Sequence, residues 1–164
     1  MDYISIITQK ILLSKQDFED YLHIFKQDNR KLVFTNGCFD ILHRGHTDYL
    51  ARAASLGDFL VLGLNTDKSI RNIKGDSRPI MDEYSRAFVL ASLMFVGVVI
   101  LFDEDTPFEL IKFIQPDILV KGSDYKEEDI VGADIVKAKG GSVITIDLVP
   151  GFSTTTIINK IITE

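Results

Sequence analysis

The chain has 164 residues, 46% of them hydrophobic and 26% charged, with a formal net charge of -6. That composition fits one globular domain with a single core and excludes disorder and collagen-like or coiled-coil repeats. One cysteine, Cys38, excludes a disulfide scaffold and a two-cysteine zinc site, and the acidic balance argues against broad nucleic-acid binding while leaving room for a local cationic pocket.

The N-terminus, Met1-Asp2-Tyr3-Ile4, has neither a basic region nor a small-residue cleavage site, so no secretory signal is expected. Residues 14–29 read as an amphipathic helix, with Ser14 and Asp17 resembling a capping box and Phe18, Tyr21, Leu22 and Phe25 at helical spacing. Residues 31–35 read as a strand broken by Asn36-Gly37, and residues 43–55 as a helix stopped at Gly57. Residues 59–64 form an unbroken apolar strand. Residues 65–79 are polar and basic and read as a loop with one helical turn. Residues 83–95 are helical by pattern and 98–102 are a strand. The uncharged run 87–102 is shorter than the roughly 20 residues a membrane span needs, so no span is expected. A helix over 106–114 starts at a proline, a strand follows at 117–120, and a helix over 129–139 ends at Gly140-Gly141. Residues 142–146 are a further strand and 153–162 a final helix.

Strands alternating with helices predict an α/β protein, a Rossmann-like doubly wound parallel sheet of about five strands with helices on both faces. One domain is expected over 1–164, with 1–30 as a helical extension packed on it. No membrane span and a lone cysteine suggest the cytoplasm.

Such sheets bind ligands beyond the C-terminal ends of their strands. There the first strand runs into Asn36-Gly37-Cys38-Phe39-Asp40-Ile41-Leu42-His43-Arg44-Gly45-His46. His43 and His46 lie three apart at a helix start, where unpaired N–H groups and the helix dipole favour an anion. Gly45 lets a ligand approach the backbone. Read by spacing alone, the two histidines are equally well ordinary polar residues at a helix cap. Two histidines without a third strong ligand do not make a metal site, and Cys38 reads as a small buried residue rather than a nucleophile. The stretch after the second strand carries Lys68, Arg71, Lys74 and Arg78. The fourth strand runs into Lys121-Gly122-Ser123-Asp124-Tyr125, and the fifth leads to Ser153-Thr154-Thr155, a helix cap that also suits phosphate. Four strand ends thus present anion-binding chemistry, while P-loop and G-x-G-x-x-G motifs are absent.

His43-Arg44-Gly45-His46 resembles the H-x-G-H motif of the nucleotidyltransferases related to cytidylyltransferases and class I aminoacyl-tRNA synthetases. With Lys74-Gly75-Asp76-Ser77-Arg78-Pro79, Val120-Lys121-Gly122-Ser123-Asp124-Tyr125 and Ser153-Thr154-Thr155, the chain is similar over residues 11–162 to the heptose 1-phosphate adenylyltransferases. These also occur as the C-terminal domain of a bifunctional heptose kinase/adenylyltransferase. The resemblance implies formation of ADP-heptose and pyrophosphate from ATP, carried with Mg²⁺, and D-glycero-D-manno-heptose 1-phosphate. The alternative within the superfamily is CTP or another phosphorylated alcohol such as glycerol 3-phosphate. The resemblance assigns His43, His46 and Lys74 to catalysis. It assigns Thr35, Asn36, Gly37, Cys38, Phe39, Asp67, Arg86, Lys121, Gly122, Asp124, Ser153, Thr154 and Thr155 to nucleotide and phosphate contacts. It implies a homodimer, small-molecule substrates and neither nucleic acid nor membrane as partner. The R-T-x-G-I-S-T motif of glycerol-phosphate and choline-phosphate cytidylyltransferases is not matched by Leu148-Val149-Pro150-Gly151-Phe152-Ser153-Thr154, which agrees with the heptose branch. Ser123 and Thr156 stand where that branch usually has glycine and asparagine.

Overall fold

A computed structural model describes residues 1–19, 21–22 and 30–163. Among them six strands form one parallel sheet in the order β1-β4-β3-β2-β5-β6. The strands are β1 (Ile11–Leu12), β2 (Leu32–Gly37), β3 (Phe59–Asn65), β4 (Val98–Phe102), β5 (Ile118–Gly122) and β6 (Ser142–Ile146). The helices are α1 (Tyr3–Thr8), α2 (Arg44–Ala54), α3 (Asp67–Lys74), α4 (Glu83–Ala91), α5 (Phe108–Ile114), α6 (Ala133–Ala138) and α7 (Thr154–Ile162).

The central strands are apolar on both faces because helices cover both. Alternation along β3 divides them. Leu60, Leu62 and Leu64 pack with Leu50 and Ala53 of α2 and Ala87 and Leu90 of α4. Val61 turns to the other face, with Phe34, Ile100, Leu110 and Ile111 of α5 and Val136 of α6. Each fully buried aliphatic side chain contributes roughly 1.5–3 kcal/mol to this packing.

The α/β expectation is met, with a sixth strand. β1 is only two residues long and pairs at the edge through Ile11↔Val99 and Leu12↔Ile100. A two-residue strand has no readable period. Its neighbour Lys10 reaches back, donating from Nζ to the carbonyls of Ala91 and Val96 at 3.1 and 2.8 Å. Of the helix expected at 14–29, Gln16–Phe18 is a 3-10 turn and Phe18 is buried, while residues 20 and 23–29 lie outside the described residues. The supposed loop at 65–79 holds α3. Thr66 caps it by accepting from Ser69 N–H at 3.2 Å, and Ile70 is buried beneath it. The helix expected at 129–139 begins only at Ala133, because Gly132 adopts φ +84, where an added Cβ would meet the Ile111 side chain at 2.8 Å. No helix among the described residues is long and apolar enough to cross a membrane.

Candidate active site

The chain proceeds from β2 through β3 to β4 on one side and continues to β5 and β6 on the other, so the order of strands reverses between β2 and β5. Such a switch point opens a crevice. β2 is in register with β3 along its whole length, from Leu32↔Phe59 to Gly37↔Leu64. With β5 it pairs only at Val33↔Ile118 and Phe34↔Leu119. Beyond Phe34 the two strands part, and Lys121 spans the gap by donating from Nζ to Asn36 Oδ1. A cavity of about 420 Å³ opens there.

The β2–α2 loop forms one wall. Gly37 lacks a Cβ that would meet the Phe39 ring at 2.9 Å, so Phe39 can fold back over it. Phe39 itself sits at φ +43, a left-handed conformation that costs a non-glycine residue on the order of 1 kcal/mol or more and marks an over-determined loop. Its buried ring meets His46 edge-on at 5.2 Å between centroids. His43 is the N-cap of α2, and its Nδ1 accepts from His46 N–H at 3.4 Å. That places the proton of neutral His43 on Nε2, the nitrogen left for a ligand. The two imidazoles stack at 3.8 Å between centroids. Gly45 permits this, because a Cβ would meet the His43 ring at 3.1 Å and Phe152 at 3.0 Å.

These contacts set the protonation states. Burial first, then the His43 and Lys74 charges, push His46 down to about 4, with the Ile41 backbone opposing. Burial also lowers His43. Both rings are therefore neutral donors at neutral pH in the free protein. Burial brings Lys121 down to about 8 against the pull of Asp124 and Cys38. An arriving polyanion would raise all three, so the site gains positive charge as its ligand binds.

The His46 shift also gives a stability prediction. An unfolded histidine takes up its proton near pH 6.5, and folded His46 does so only near 4. Between those values the unfolded state holds more protons, so stability falls as pH drops. With allowance for the partial exposure of the ring, the loss is about 2 kcal/mol. Urea unfolding at pH 7 and pH 4 is expected to show wild type losing that much more stability than a His46→Asn variant. Equal losses would contradict the burial of this ring.

A second wall descends from α3. Lys74, its last residue, lines the cavity with Arg78. Buried Asp40 moors this segment: Oδ1 accepts from Ile80 and Met81 N–H at 2.8 and 2.9 Å, and Oδ2 lies 2.8 Å from Arg78 Nε. The third wall is the start of α7. Ser153 Oγ caps the helix by accepting from Thr156 N–H at 3.0 Å, which leaves the N–H groups of Thr154 and Thr155 at the open helix end. Leu148, Val149 and Phe152 add apolar surface, and Arg44 lies over the Phe152 ring at 5.6 Å.

The cavity collects thirteen of the sequence candidates: Asn36, Gly37, Cys38, Phe39, His43, His46, Lys74, Lys121, Gly122, Asp124, Ser153, Thr154 and Thr155. Three expected nucleotide contacts lie outside its lining. Thr35 is fully buried, with Oγ1 2.7 Å from the Tyr49 hydroxyl. Arg86 is also buried, and its guanidinium is consumed by the protein. It donates to the carbonyls of Met81, Cys38 and Asn65 at 3.0, 2.7 and 2.9 Å, and to Asp67 Oδ1 at 2.7 Å. Asp67 is thereby the partner of Arg86. Arg86 ties together the β2–α2 loop, the end of β3 and the segment leading into α4. Asp40 and Tyr125 were missed as contributors to the site. Asp40 stood inside the quoted motif, but its partners lie about forty residues away in sequence.

Comparison with known proteins shows the family and the fold. The family described as cytidylyltransferase-like matches residues 34–160. The bifunctional protein HldE of Campylobacter jejuni is 56% identical over 143 residues, 87% of this chain and 30% of that protein. The HldE of Syntrophotalea carbinolica is 53% identical over 148 residues, again 30% of its length. The chain thus spans under a third of these relatives. Among solved structures, a lipopolysaccharide core biosynthesis protein from Thermoplasma volcanium superposes with a TM-score of 0.60 at 31% identity, covering 73% of this chain and 97% of that one. Pantoate-β-alanine ligase from Francisella tularensis, at 13% identity and TM-score 0.57 over 94% of this chain and 79% of its own, shares the fold. With the family match running from β2 into α7, the chain belongs to the cytidylyltransferase-like family.

Proposed function

We propose that the protein transfers the adenylyl group of ATP to a sugar 1-phosphate, D-glycero-D-manno-heptose 1-phosphate, releasing pyrophosphate. The observation that carries this reading is the convergence of His43, His46, Lys74, Lys121 and the start of α7 on one cavity at the switch point. An acceptor phosphate oxygen attacks the α-phosphorus. The new O–P bond forms as the bond to the bridging oxygen breaks, and that electron pair leaves on pyrophosphate. A phosphate monoester has its second pKa near 6, so the nucleophile is ionised at neutral pH and no general base is required. The remaining work is positioning and charge stabilisation, which suits a site of imidazoles, ammonium groups and helix N–H groups.

In this mechanism His43 Nε2–H and the His46 ring donate to phosphate oxygens as charge develops. Lys74 covers the bridging oxygens, and the open N–H groups of Thr154 and Thr155 hold the outer phosphates. Magnesium enters with the nucleotide. There it would be held by phosphate and water oxygens, as magnesium usually is beside a nucleotide. The heptose branch is supported by the motifs at Lys74–Pro79 and Val120–Tyr125 and by identity above 50% to the HldE proteins.

A pyrophosphate-release assay tests the reading. ATP with heptose 1-phosphate is expected to exceed every other pair among ATP or CTP and a panel of sugar 1-phosphates and glycerol 3-phosphate by at least tenfold in kcat/KM. Preference for CTP, or for glycerol 3-phosphate, would assign the chain to another branch.

A further inference from the structure

A second cavity of about 340 Å³ adjoins the first. The two share Asn36, Gly37, Cys38, Lys74, Lys121 and Tyr125, so they are lobes of one crevice with a common cationic wall. The lobes differ in chemistry beyond that wall. The first continues to the histidines and α7. The second continues to Asp105 and Thr106, in the loop between β4 and α5, and to Asp129, at the end of the 3-10 turn Glu127–Asp129 after β5. These two loops approach from opposite sides of the switch point. Among the described residues, Lys74 and Lys121 are the cations that line this lobe. Asp105 has only a 3.5 Å contact from Asn72, and among the described residues neither carboxylate is held in an ion pair.

We infer that the second lobe receives the polyhydroxylated body of the acceptor, with Asp105 and Asp129 reading its hydroxyl groups as specificity-determining residues. The inference rests on the adenylyl-transfer reading. In-line attack requires the acceptor phosphate to lie beside the α-phosphate, at the shared wall between Lys74 and Lys121. The rest of the acceptor must then point away from the nucleotide, and the second lobe is the space on that side. An ionised carboxylate accepts several hydrogen bonds, so two of them suit a ring carrying several hydroxyls, while Pro107 and Ile130, both buried, back the lobe with apolar surface. The volume suits a single sugar ring. An acceptor as short as glycerol 3-phosphate occupies the shared wall without reaching both carboxylates.

Steady-state kinetics of the whole chain with Asp105→Asn and Asp129→Asn provide the test. Each variant is expected to raise KM for heptose 1-phosphate about tenfold, the scale of a lost hydrogen bond to a charged group. KM for ATP should stay within twofold, which also reports an intact fold. The preference for the sugar over glycerol 3-phosphate should shrink by the same factor. A KM for the sugar phosphate unchanged within twofold in both variants overturns the inference, as does an equal rise in KM for ATP. If the wild type turns over no sugar 1-phosphate at all, the adenylyl-transfer reading fails and this one with it. Turnover by wild type with unmoved variants leaves that reading standing and removes only this one.

Discussion

Replacing His46 with alanine is expected to lower kcat by two to three orders of magnitude in the pyrophosphate-release assay, while circular dichroism and thermal unfolding show a folded protein. The size follows from the loss of a preorganised donor at the point where charge develops. His46 is well suited to that task. Phe39 holds it edge-on and the His43 ring stacks on it. It is neutral in the free protein, pushed down to about 4, so it donates without adding a buried charge until the phosphates arrive. The ring is only half-buried, so its loss leaves no enclosed core cavity and costs less stability than truncating a core side chain. A folded variant with turnover within a fewfold of wild type would contradict the role given to this ring.

Arg86→Met is expected to behave in the opposite way, with its main effect on stability. Methionine keeps most of the apolar stem but abandons the Met81, Cys38 and Asn65 carbonyls and the Asp67 carboxylate. The buried carbonyls lose their donor and the partly exposed Asp67 carboxylate loses its partner, which costs about 3 kcal/mol, the lower end for a broken buried charge pair, and urea denaturation should show a loss of that size. Arg86→Lys should recover only a small part, because an ammonium group cannot reach four acceptors laid out for a planar guanidinium. Activity should fall in whatever fraction remains folded, since three site-bearing segments lose their common anchor. Were Arg86 a ligand contact instead, the variant would be as stable as wild type and would differ only in its KM for ATP.

The contrast between these residues shows what the sequence can convey. His43 and His46 were legible because their spacing, the intervening glycine and the helix start are all local. Ser153 was legible for the same reason, as a cap. Lys121 and Asn36 became a pair only once the strand order was known, because their meeting depends on β2 and β5 parting after Phe34. The expectation that Arg86 contacts the nucleotide comes from the family resemblance, which places a residue in a motif without showing where its donors point. Whether its donors face a cavity or the backbone of distant loops is a tertiary fact. Asp40 is the counterpart on the β2–α2 loop, where its motif position gave no hint that it moors residues 78–81. The α3 helix was underestimated because its polar face dominates the composition, although Thr66 and Ile70 supply a cap and a buried anchor. Asp105 and Asp129 carry no motif, and only the topology places them on one lobe.

The most direct test is a crystal structure of the protein with a non-hydrolysable ATP analogue and magnesium. The triphosphate is expected in the crevice between β2 and β5, with phosphate oxygens within hydrogen-bond distance of His43 Nε2, the His46 ring and the N–H groups of Thr154 or Thr155. A nucleotide bound elsewhere, or one whose phosphates turn away from both imidazoles, would contradict the account.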